Sequence, residues 1–110
     1  MTEDEFRAMA LEFPESEQSG HFDVTDFRVA NRIFATFRPK DGRAVLKLSP
    51  DEQRLLMETS PGLFEPIKGS WGQKGWTRVA LGNADADTVR HAMTMAWRSV
   101  APRRLATPRR

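Results

Sequence analysis

The chain has 110 residues, 39% of them hydrophobic and 29% charged, with seven Phe, three Trp and no Cys. That length suits one domain, which buries roughly 65% of its unfolded surface, and the missing thiols exclude a disulfide framework, thiolate-bound zinc, iron–sulfur ligation and a cysteine nucleophile. The net charge of +2 hides a dipole, because residues 1–26 hold eight acids and one base while the remainder holds sixteen bases and seven acids; this suits either a polyanionic partner for the basic part or internal neutralisation when the acidic segment folds back.

Thr2 followed by Glu5 is a capping box, and Phe6, Met9, Ala10 and Phe13 then repeat at the spacing of an amphipathic helix that Pro14 stops. The polar stretch 15–26 holds one short edge strand near residues 16–19. Phe27–Ala30 and Ile33–Phe37, separated by Asn31-Arg32, read as a tight hairpin, and Pro39-Lys40-Asp41-Gly42 turns the chain into a third strand, Ala44–Leu48. Ser49-Pro50-Asp51-Glu52 carries an N-cap, Pro at N1 and a box-closing Glu, so a second helix runs from here to about Thr59. A short connection through Phe64–Ile67 leads to Gly69–Gly75, a loop or hairpin tip. Trp76–Leu81 is a further strand, and Asp85 caps a last helix with Val89, Ala92, Met93, Ala96 and Val100 on one stripe, ended by Pro102. Residues 1–101 form the domain, and 102–110, with four arginines, form a mobile basic tail.

Side chains alternate across a strand. One set, Phe27, Val29, Ile33, Ala35, Phe37, Leu46, Leu48, Val79 and Leu81, is apolar. The other holds Arg28, Phe34, Arg38, Lys47, Trp76 and Arg78, with a cation on each of four strands and no acid. The three helix stripes need the apolar face, giving an α+β antiparallel meander with three helices on one side, a two-layer sandwich with its basic face outward.

That face is either a solvated exterior or a phosphate-contacting platform on which Trp76 or Phe34 stacks. In the second reading Arg28, Arg38, Lys47 and Arg78 neutralise phosphates, and Trp71 and Lys74 sit on a finger that its glycines make flexible; in the first, one or both indoles plug the core edge. Four phosphate contacts imply a log K against log salt slope of about −3.6. His21 and His91 fall in different elements with no Cys beside them, so no metal, cofactor or catalytic constellation is expected. The acidic N-terminus lacks a basic leader and no apolar run approaches the ~18 residues of a membrane span, so a cytoplasmic, monomeric, non-enzymatic protein is expected. The alternative partner is an acidic protein or a small anionic ligand held between the sheet and the Trp71–Trp76 loop.

Phe13-Pro14-Glu15, His21-Phe22, Phe27-Arg28-Val29, Ile33-Phe34-Ala35, Leu46-Lys47-Leu48-Ser49-Pro50, Trp71-Gly72, Gly75-Trp76-Thr77 and Ala96-Trp97-Arg98 together carry a resemblance. On these residues the chain resembles the MmcQ/YjbR-like proteins, small bacterial domains described as DNA-binding. The resemblance spans almost the whole chain and implies a CyaY-like, or double-wing, α+β fold and DNA as partner. The arginine-rich end after Leu105 is not part of that pattern.

Overall fold

A computed structural model describes residues 1–21 and 23–106, so Phe22 and the terminal Arg109 and Arg110 lie outside the described residues. The elements run α1 (Glu3–Glu12), β1 (Glu17–His21), β2 (Val24–Val29), β3 (Arg32–Arg38), β4 (Arg43–Lys47), α2 (Pro50–Thr59), β5 (Phe64–Pro66), α3 (Ser70–Gln73), β6 (Trp76–Val79), a 3₁₀ turn (Leu81–Asn83), α4 (Ala86–Val100) and α5 (Arg103–Ala106). The strands pair antiparallel in the order β1-β2-β3-β4-β6-β5.

The helix starts follow from local chemistry. The Thr2 hydroxyl accepts from the Glu5 N–H at 3.1 Å while the Glu5 carboxylate accepts from the Thr2 N–H at 2.8 Å, and Ser49 with Glu52 repeats the exchange at α2. These bonds satisfy donors that a helix start leaves without partners. Asp85 caps α4 through the Thr88 N–H. The stripes of α1 (Phe6, Met9, Ala10) and α4 (Val89, Ala92, Met93, Ala96), with Leu56 of α2, join Phe27, Ala35, Phe37, Leu46 and Val79 in one core. The result is the expected two-layer α+β sandwich. Phe6 anchors it, its ring 6.2 Å from Phe27 and 6.1 Å from Phe37.

Four expectations change. The hairpin turn is Ala30-Asn31 rather than Asn31-Arg32: both residues adopt positive φ, 51° and 66°, and Val29 pairs with Arg32. Two successive positive φ angles match the twist of a two-residue hairpin. Second, the β2–β3 register shifts between Phe27 and Arg28, so Phe27 opposes Ala35 while Arg28 opposes Ile33. The residue left over is Phe34. It turns to the core side with Ala35, is fully buried, and meets Phe13 edge-on at 6.1 Å, whereas Ile33 falls on the side of Arg28 and stays outside the core. A bulge does this because one extra residue reverses the alternation beyond it. Phe34 is therefore not available on the outward face.

Third, the connection expected at Phe64–Ile67 contains β5, which extends the sheet beyond β6, and Leu81 lies in the turn after β6 rather than in a strand. Fourth, the basic tail expected to be mobile from residue 102 begins with α5. Leu105 packs against the core and Arg104 forks onto the Glu15 carboxylate at 2.8 and 3.0 Å. That pair, with Glu12–Arg90 at 2.8 Å, neutralises part of the acidic segment away from the outward sheet face.

Candidate nucleic-acid interface

Cross-strand partners share a face, so the register fixes what lies opposite the core. Asp26, Thr36, Val45, Arg78 and Glu65 form one row across β2, β3, β4, β6 and β5; Arg38 opposes Arg43, and Lys47 opposes Trp76. The expected absence of acids does not hold, because Asp26 and Glu65 stand in this row. Asp26 is nearly buried, its side chain 10% exposed, and accepts from Arg28 Nη2 at 2.9 Å. Arg28 is itself two-thirds covered, with Nε buried and unpartnered. Held this way, Arg28 is set apart from the other cations.

At one end of the face Arg38, Arg43, Arg78 and Lys68 line a cleft of about 520 Å³ together with Asp41 and Glu65. Arg38 forks onto Asp41, Nε at 2.9 Å and Nη2 at 2.6 Å. That hydrogen-bonded guanidinium lowers the Asp41 carboxyl to about 2, and the carboxylate in turn raises Arg38. Arg78 sits 3.6 Å from Glu65. Arg43 and Lys68 form no ion pair among the described residues, so four cations meet two carboxylates and the cleft keeps a positive excess. Arg43 and Lys68 were missed in the sequence reading. Arg43 falls just outside the expected strand Ala44–Leu48 although it begins β4, and Lys68 reaches the cleft only because β5 docks at the sheet edge.

At the other end Lys47, Trp76, Trp71 and Lys74 come together. The Lys47 ammonium lies 5.9 Å from the Trp76 ring centre, the two indoles meet edge to face at 5.9 Å, and the Lys74 ammonium lies 5.4 Å from the Trp71 ring centre. These are cation–π distances. Trp76 is partly buried, with its Nε1 unpartnered, whereas Trp71 is 57% exposed.

The segment carrying Trp71 and Lys74 is not a flexible finger. Residues 70–73 form the helical turn α3, and a Cβ on Gly72 would stand 1.9 Å from the Ile67 carbonyl oxygen, one on Gly75 1.8 Å from that of Leu48. The glycines permit close backbone contact rather than motion. Gln53 of α2 locks the turn: buried, its Nε2 donates to the Gly72 carbonyl at 3.1 Å, the Trp76 carbonyl at 3.3 Å and the Thr77 hydroxyl at 3.0 Å. The Thr77 hydroxyl donates onward to the Gly75 carbonyl at 2.8 Å. No sequence signal marks Gln53, whose spacing on α2 is that of any polar helix residue.

A model of the YjbR family matches residues 11–99 of the chain. No curated protein matches. Among solved structures, Deinococcus radiodurans protein DR2400, described by its DUF419 domain, superposes with a TM-score of 0.72 over 89% of this chain and 77% of its own at 23% sequence identity, a likeness of fold.

Proposed function

This chain belongs to the YjbR family, and from that footing we propose that it binds nucleic acid, DNA first, across the outward sheet face. One observation carries the reading: Arg38, Arg43, Arg78 and Lys68 converge on a single cleft with only two carboxylates among them, on the face the helix stripes do not use. Arg28, tied to Asp26, leaves the contact set and Arg43 enters it. With the four cations that carry no ion pair among the described residues, Arg43, Lys68, Lys47 and Lys74, each meeting a phosphate, binding is weak and salt-dependent, with a Kd of roughly 10⁻⁴ to 10⁻⁶ M and a log–log salt slope of about −3.6 on duplex.

The reading is one of binding rather than catalysis. Fluorescence anisotropy with a labelled oligonucleotide tests it: Arg43→Ala reduces the slope by about 0.9, and a flat salt response rejects the reading. The concavity of the cleft favours a second reading, a small dianion such as inorganic phosphate held by Arg43 and Lys68. Calorimetric binding of phosphate with no oligonucleotide binding selects that alternative.

A further inference from the structure

Among the described residues the outward face offers nothing shaped to enter a groove. A major groove about 12 Å wide admits a helix or a two-stranded ribbon, but the cations here stand on the face of a six-stranded sheet, and the adjoining helix, α3, has only four residues, with its Gly72 close against Ile67 and Gly75, just beyond it, close against Leu48. What the face does carry is an indole held by its neighbours yet more than half exposed. Trp71 is the most exposed large apolar side chain of the described residues, yet its edge-to-face contact with Trp76, the Gln53 hydrogen bonds and the two glycines hold it in place. A rigid, exposed aromatic beside cations is the equipment for stacking an unpaired base, which a duplex keeps inside its helix.

We propose that the ligand of this face is single-stranded nucleic acid, with one base stacked on Trp71 and the backbone following β4 and β6 from Lys47 toward Arg43 and the cleft. This rests on the nucleic-acid reading above and names the form of the ligand. Lys47 and Arg43 lie four residues apart on β4, about 13 Å at 3.2–3.4 Å per residue, so the track accommodates a few nucleotides. Val45, between them, is buried and carries no charge, and Arg78 opposite it is paired with Glu65, which leaves the unpaired phosphate contacts at the two ends. Lys74, now 5.4 Å from the Trp71 ring centre, moves from the ring to the adjoining phosphate when a base arrives.

The test compares a labelled twelve-residue oligo-dT with a twelve-base-pair duplex in the same low-salt buffer, followed by anisotropy and by tryptophan emission. Oligo-dT binds more tightly and quenches the emission. Trp71→Ala loses roughly 5- to 150-fold on the strand, the range of one base–aromatic stack, and changes duplex binding by less than about twofold. Trp71→Phe retains most of the strand affinity, and a thermal melt establishes that both variants fold. Duplex binding equal to or tighter than strand binding, or a Trp71→Ala loss shared by both, overturns the inference while nucleic-acid binding stands. Binding of neither oligonucleotide removes both together.

Discussion

The two faces of the sheet obey different rules. On the inner face, shape and burial decide: Phe27, Ala35 and Leu46 have zero exposure, and their neighbours come from three helices. On the outer face, charge decides, and the charges are mostly matched in pairs, Arg28 with Asp26, Arg38 with Asp41 and Arg78 with Glu65. The lesson is that counting cations on a strand overstates a basic surface. What gives the outer face its character is the remainder after pairing, namely Arg43 and Lys68 at the cleft and Lys47 and Lys74 at the indoles. The two exposed pairs at the cleft, Arg38–Asp41 and Arg78–Glu65, are of a kind that contributes little to folding, so that end of the outer face can be altered without unfolding the inner one.

The largest expected effect tests where the inner face ends. Phe34→Ala costs about 3–5 kcal/mol in urea unfolding, as for a buried aromatic, whereas Ile33→Ala costs much less. Equal costs would place both residues on one face and remove the bulge. Next, Gln53→Ala costs about 1–3 kcal/mol, since it strips donors from buried carbonyls, and it also shifts tryptophan emission, because the support of α3 weakens; a destabilised protein with unchanged emission would separate the indole pair from its buried support. Ser49→Ala, removing the α2 cap, costs about 1 kcal/mol, read as a lower urea midpoint at unchanged m-value.

The smallest effect belongs to the outer face. Arg38→Ala leaves the urea midpoint close to that of the unaltered protein, because the pair is solvent-exposed, but moves the Asp41 carboxyl from about 2 back toward the ordinary 3.8, followed by NMR titration of its side-chain carbon. The sign follows from linkage: a carboxyl depressed by folding contributes above its unfolded value and loses that contribution as pH falls from about 4 through about 2. An Asp41 titration indifferent to Arg38 would show that the fork at the cleft is not formed.

Much of the molecule was legible before any coordinates. Capping boxes at Thr2–Glu5 and Ser49–Glu52, and the stripe Val89–Val100, depend on residues within a few positions of one another, and these elements stand where expected. The hairpin was legible in kind but not in register. The three-residue β5 was not legible, since a strand that short has no period and contains Pro66. At the candidate site Arg38, Lys47, Trp71, Lys74, Trp76 and Arg78 were named from the sequence, but not that they divide into a cleft group and an indole group. The glycines read as flexibility because a close carbonyl, Leu48 above Gly75 or Ile67 above Gly72, is invisible in a linear string.

The sequence by itself determined the three longer helices α1, α2 and α4, their apolar stripes, the β2-β3-β4 meander and hence which class of sandwich buries those stripes, because propensity, capping and period act over one or two turns of chain. The tertiary structure alone decided which charges neutralise one another, which of Ile33 and Phe34 faces inward, and that Trp71 is held rigid and outward. Those outcomes depend on a bulge, a docked edge strand and a buried Gln53 reaching across 19 to 24 residues of chain. Local rules carry no information at that separation.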